Sequence, residues 1–321
     1  VIAQIHAALA QPSATQKALV LHRAGKLDEA EQAYKLALSE NANDITARHY
    51  LGVVAFQRGQ ADVAETHIRA ALAQKPDDVD ALSNLALALK AQGRMEEAVA
   101  TCRQVLQVAP KHGATHNNLG NLLKALGRVD EALPHYEQAI ALNPQAPDLT
   151  HNLGIALLEA NRLQDALVPL RRAIELAPDN PDYKFDLARC LLMKGEWEEG
   201  WQQYEYRRQM KEFGAISLPH APEWDGKVDP ALTLLVLAEQ GLGDTIQFGR
   251  FTEQARARVG RLVLVTPPHL KALMHTAPGV DAVYGYGEQL PVYGAYAMLP
   301  SLPLLLGTTL ESLPAKVPYL H

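Results

Sequence analysis

Two groups of residues in this 321-residue chain have types and spacings that could do chemistry. The first is Asn84, Asn118 and Asn152, each 34 residues from the next, with Asp186 following in the same register. An amide side chain both donates and accepts hydrogen bonds. A row of amides on one helix face can therefore bond successive peptide groups of an extended chain without strict sequence demand. Lys90 and Lys124, again 34 apart, would add positive charge beside that row. The competing reading is that these polar residues simply fill a solvated helix face. The second group is the run Glu239-Gln240-Gly241-Leu242-Gly243-Asp244-Thr245, which follows a short apolar stretch. Its glycines permit a tight turn and close approach of a ligand to backbone. Asp244 stands at an expected helix start with Gln247 three residues on, close to a capping box, so N-capping worth about 1 kcal/mol is its plainest role.

Other constellations are weaker. Cys102 and Cys190 sit at apolar positions of helical stretches and read as small buried hydrophobes rather than nucleophiles or ligands. Two cysteines cannot build a disulfide scaffold, and a reducing, cytoplasmic compartment is expected. His112 and His116 are four apart but straddle a junction between units, which disfavours metal binding. Arg171-Arg172 and Arg207-Arg208 read as exposed helix faces. A dinucleotide fingerprint needs a third glycine where Ile246 stands and an acid near Thr266, so NAD is disfavoured; no Walker loop, nucleophile elbow or zinc-protease motif is present. Net charge is -6, which disfavours a basic nucleic-acid surface. No apolar run approaches the ~18 residues of a membrane span. The chain opens on Val1 without a basic-then-apolar leader, so no signal peptide is expected.

The elements that must position these residues come from internal repetition. Gly25, Gly59, Gly93, Gly127, Asn161 and Gly195 recur every 34 residues. Five places after each stands a small residue, Ala30, Ala64, Ala98, Ala132, Ala166 and Gly200, and Pro76, Pro110, Pro144 and Pro178 form a third series. Gly or Asn permits the left-handed backbone where one helix stops and the next turns back. The small residue lets two helices approach, and proline ends the unit. Apolar residues such as Leu119, Leu122, Leu123 and Leu126 fall at helical spacing between the markers.

These features resemble the tetratricopeptide repeat, with six units at 11–44, 45–78, 79–112, 113–146, 147–180 and 181–214. Leu119-Gly120, Ala132, Tyr136 and Pro144 carry the motif in the fourth unit. Residues 1–10 read as a capping helix or the remnant of an earlier repeat. The resemblance implies an α-solenoid whose concave surface is lined by each unit's first helix and takes an extended peptide or protein. The row of Asn84, Asn118 and Asn152 is similar to the asparagine ladder in the repeats of O-GlcNAc transferase. The Lys and Arg pattern of the chaperone-tail carboxylate clamp is not evident.

Residues 215–230 read as a linker, and from Leu232 the period becomes strand-like. Leu232 to Ala238 is continuously apolar, as suits a strand buried on both faces. Helical residues from about Thr245 to Val259, a strand at Arg261–Thr266, a short helix at His269–Thr276 and a strand at Asp281–Tyr286 follow. That alternation argues for parallel β-α-β units over residues 231–321, with Gly241 to Asp244 beyond the carboxyl end of the first strand, where such sheets bind ligands.

Glu239 to Phe248 after tetratricopeptide repeats is similar to bacterial repeat proteins that end in a GT-B glycosyltransferase related to the heptosyltransferase family. The resemblance implies a Rossmann-like lobe, a nucleotide sugar as co-substrate without further cofactor, and Asp244 as the base on the acceptor hydroxyl. Gln240, Gly241, Leu242, Gly243 and Thr245 would form the ligand loop. A helix N-terminus stabilises the Asp244 anion and lowers its basicity, so a base there needs compensating desolvation. GT-B enzymes have two lobes, and the residues after Ala231 suffice for much of the first alone. The chain by itself is therefore not expected to transfer sugar; the alternative is a non-enzymatic interaction module with an α/β cap. Oligomerisation is compatible with either.

Overall fold

The computed structural model describes residues 12–210, 221–239, 241–315 and 317–321. The expected helix at 1–10, residues 215–220 of the expected linker, and Gln240 lie outside the described residues. Among the described residues twelve helices precede the sheet: α1 (Ala14–Arg23), α2 (Leu27–Glu40), α3 (Ile45–Gln57), α4 (Ala61–Leu72), α5 (Val79–Ala91), α6 (Met95–Val108), α7 (Gly113–Ala125), α8 (Val129–Leu142), α9 (Pro147–Glu159), α10 (Leu163–Leu176), α11 (Pro181–Lys194) and α12 (Trp197–Tyr204). A 3₁₀ turn, Glu205–Gln209, follows. The chain forms two compact units, one ending at Ala156 and the other beginning at Leu157, so the division falls inside α9.

The three marker series do the local work expected of them. All six turn residues have positive φ, from 58° at Asn161 to 89° at Gly195. Ala30, Ala64, Ala98, Ala132 and Ala166 are completely buried at the helix contacts. At Gly200 even a methyl group would lie 2.8 Å from Leu192 Cδ2. Two of the first helices, α3 and α5, start on aspartate caps: Asp44 and Asp78 accept from the Ala47 and Ala81 amides at 2.9 and 3.1 Å.

In the second unit β1 (Asp229–Leu237), β2 (Val259–Thr266), β3 (Ala282–Gly285) and β4 (Ala295–Met298) form a parallel sheet in the order β3-β2-β1-β4. Leu235 of β1 lies opposite Val263 of β2 and Tyr296 of β4. The short helices α13 (Leu242–Phe248), α14 (Thr252–Arg256), α15 (Lys271–Met274) and α16 (Leu302–Leu305) connect or follow the strands. Both faces of the second half of β1, Leu234–Leu237, are buried, which explains the unbroken apolar sequence of that segment. Leu234 and Val236 join one cluster with Phe248, Phe251, Leu262 and Leu264, and Leu235 and Leu237 join another with Val263, Val265 and Met298. The first cluster also contains Ala188 and Tyr204, with Phe185 and Trp201 packed against it. The closing helical pair α11–α12 and the sheet thus share one core.

Candidate functional site

In the first unit, the first helices of successive pairs present residues of equal rank side by side. Fifth positions are His49, Ser83 and Asn117; sixth positions are Tyr50, Asn84, Asn118 and Asn152. The amides are half-buried, and two of them bond laterally to the preceding helix. Asn84 Nδ2 lies 2.9 Å from His49 Nε2 on α3, and Asn152 Nδ2 donates to Asn117 Oδ1 on α7, also at 2.9 Å. Both bonds run from a sixth position to the fifth position one repeat earlier. Because the amide nitrogen donates, His49 Nε2 accepts and the ring is neutral with its proton on Nδ1. Burial lowers the His49 pKa, against the opposing pull of Asp78 and Asp80, which is consistent with that state.

These bonds leave capacity for a partner. The side-chain oxygens of Asn84 and Asn152 accept nothing among the described residues, and Asn118 has no side-chain hydrogen bond there. One N–H of each paired amide remains as well. Lys90 is exposed, and Lys124 is half-buried with an interaction of its own. His49, Asn117 and Asn121 complete the row and were not singled out by sequence; Asn121 accepts from the Tyr136 hydroxyl at 2.9 Å. Fifth-position periodicity is the signal that finds the first two. Toward the amino end the row meets an aromatic group in which Tyr34 stacks on Tyr50 at 6.2 Å and His22 meets both edge-on.

In the second unit, α13 begins three residues earlier than expected. Gly241 is the N-cap and Asp244 the third helical residue, so Asp244 is not itself the cap. Its Oδ2 accepts the Gly241 amide proton at 3.1 Å, the reciprocal half of a capping box. Gly241 has φ −80°, and Gly243 lies in the first turn with open space where a Cβ would stand. Neither glycine is demanded by a left-handed turn. Leu242 is exposed, Asp244 half-buried, and Thr245 buried with its hydroxyl on the Gly241 carbonyl at 3.2 Å.

Glu239, the residue entering this loop, is buried against Arg207. Arg207 is completely buried, contrary to the exposed face expected for Arg207-Arg208. Its partner Arg208 stays half-exposed and forks onto Glu223 at 2.7 and 2.9 Å. Arg171 and Arg172 lie on an exposed face and pair with Glu199 and Glu175.

Both cysteines are buried; desolvation pushes the Cys102 thiol up to about 11, which keeps it from acting as a nucleophile. His116 Nε2 faces the Pro110 carbonyl at 2.9 Å and must donate to it, and its Nδ1 shares a hydrogen bond with His135 Nδ1 at 3.0 Å. That arrangement consumes both faces of the His116 ring. Among the described residues no group of three or more His, Cys, Asp or Glu could hold a metal ion.

Family models of the tetratricopeptide repeat match residues 21–89, 77–145 and 117–181. The chain is a tetratricopeptide repeat protein. Solved structures share the fold of its repeats. For pilF of Pseudomonas aeruginosa the identity is 20%, the coverage 62% of this chain and 89% of that one, and the TM-score 0.54. A tetratricopeptide repeat protein from Parabacteroides merdae is 17% identical over 60% of this chain and 76% of its own, with a TM-score of 0.53. A thermophilic tetratricopeptide repeat protein from Thermus thermophilus is 25% identical, covering 56% of this chain and 97% of its own at a TM-score of 0.46. Comparison with curated proteins returned no match. The tetratricopeptide repeats make the chain a protein-interaction scaffold. No helix among the described residues is long and apolar enough to cross a membrane.

Proposed function

We propose that the first-helix face of the amino-terminal unit binds an extended polypeptide through its backbone. The observation that carries this is the lateral bonding of Asn84 and Asn152, which orients both amides while leaving their oxygens unengaged. Half-buried, pre-oriented amides lose little entropy when they meet peptide groups, so each bond retains more of its value. Lys90 and Lys124 favour a segment carrying acidic residues beside the bonded backbone. Replacing Asn84, Asn118 and Asn152 together by Ala removes three bonds worth about 0.5–1.5 kcal/mol each. A peptide selected from a random library for binding to the intact protein should then bind roughly 10- to 2,000-fold more weakly in fluorescence anisotropy. Unchanged affinity removes the amide row from the account.

A second reading concerns the α/β part, as the acceptor-side, Rossmann-like lobe of a GT-B sugar transferase with Asp244 as base. It is supported by Gly243, whose missing side chain serves no packing purpose and opens the backbone to a ligand, and by Asp244 Oδ1, which accepts no bond among the described residues. Nucleotide-sugar contacts would come from a second lobe. The core shared by α11, α12 and the sheet suits the alternative equally, a non-enzymatic α/β cap on the repeats. Transfer from a nucleotide sugar by the full-length gene product separates the two. General-base catalysis contributes about 10²–10⁴-fold, so Asp244→Asn should reduce turnover by that order; full turnover in the folded variant excludes Asp244 as base.

A further inference from the structure

Arg207 commits every one of its five N–H groups. Nε and Nη2 converge on Glu239 Oε1 at 2.7 and 2.6 Å, and Nη2 also donates to Ser301 Oγ at 2.7 Å. Nη1 donates to Glu205 Oε1 at 2.6 Å and to the Tyr204 carbonyl at 3.2 Å, while the Ser301 hydroxyl donates to Glu205 Oε2 at 2.8 Å. The Tyr204 ring lies 4.7 Å from the guanidinium carbon.

The location of these partners matters more than their number. Glu239 stands just past the carboxyl end of β1, and Ser301 just past that of β4. From β1 the chain builds outward to β2 and β3, then returns to the other side of β1 with β4. The β1–β4 gap is therefore the topological switch point, the crevice in which open α/β sheets bind their ligands. Here a side chain from the turn that ends the repeat helices fills it.

We infer that Arg207 is a positioning residue for the segment from Gly241 to Asp244, the N-cap and first turn of α13. By clamping Glu239 it sets where the chain leaves β1, and by filling the switch-point crevice it confines any ligand of the sheet to the outward side of that loop. The end of the repeat helices thereby controls the loop's geometry. The ordering of the loop stands on these bonds alone; its use in ligand binding rests on the second reading above.

The test is residue-resolved amide exchange on the whole chain without ligand, so that absence of sugar transfer leaves it intact. Glu239→Gln keeps the shape and one acceptor but removes the charge that draws two guanidinium nitrogens. Gly241 and Thr245 amides should exchange at least tenfold faster, while Leu234, Leu235 and Val236 at the centre of β1 keep their rates. Arg207→Lys should give the same pattern, because three ammonium donors cannot serve the acceptors held by five. Joint replacement by Arg207→Met and Glu239→Gln should leave the loop fast, since an apolar side chain restores packing without the clamp. Unaltered loop rates in Glu239→Gln and Arg207→Lys, or equal acceleration in β1, overturn the inference.

Discussion

Arg207→Ala should cost the carboxyl-terminal unit about 3–5 kcal/mol, the loss typical of removing one member of a buried ion pair. Glu239 would be left with 4% of its side chain exposed and without its ion-pair partner. Ser301 and the Tyr204 carbonyl would lose their donors in the same step. Against a total stability of about 5–15 kcal/mol, this is enough to populate the unfolded state at ordinary temperatures. All three tryptophans, Trp197, Trp201 and Trp224, belong to this unit, so tryptophan fluorescence in a urea titration reports it selectively. The double variant Arg207→Met with Glu239→Gln should recover most of the loss, because what is expensive is the unpaired charge rather than the missing bond. A loss below about 1 kcal/mol for Arg207→Ala would show that water or a shifted side chain replaces the guanidinium, and with it the argument from burial would fall.

Tyr136→Ala is the corresponding experiment in the amino-terminal unit. Tyr136 on α8 is completely buried, and its ring fills the notch left by Gly120 on α7, where a Cβ would come within 2.8 Å of it. Truncating a buried aromatic residue costs about 3–5 kcal/mol. Because repeat stability is a sum of unit and neighbour terms, the loss spreads to the adjacent pairs and lowers the whole helical transition followed by circular dichroism. Tyr136→Phe isolates the hydroxyl, which donates to Asn121 on the proposed binding face, and should cost about 1 kcal/mol. A cavity that the structure absorbs, with less than 1 kcal/mol lost for the alanine variant, would mean that the Gly120 notch is not tightly packed.

The second half of the chain illustrates which features a pattern can reveal. Leu232 to Ala238 reads as a doubly buried strand because it contains no charged residue, and β1 is that strand with three further residues at its start and without Ala238 at its end. By contrast β4, only Ala295–Met298, carries no comparable signal: four residues are too few for a period, and the strand is stabilised by β1 beside it. The loop was legible as a loop, but the start of α13 was not, because Gly241 caps through its backbone and Asp244 reaches back from the third helical position. Sequence places an acidic residue near a helix start well and its exact rank poorly.

What the sequence determined by itself is the repeat: its period, its six turns and the small residues at each helix contact. Each of these answers a constraint within some thirty residues, and six copies of the same answer make it visible. The amides at Asn84, Asn118 and Asn152 were visible for the same reason. Only the tertiary structure decided what they bond to, and why Arg207 is buried while Arg208 beside it is not. Arg207 lies in a 3₁₀ turn, where the helical phase that assigns faces has ended, and its partners Glu239 and Ser301 are 32 and 94 residues away. A charge is buried by what the fold brings to it from a distance, and no local spacing records that.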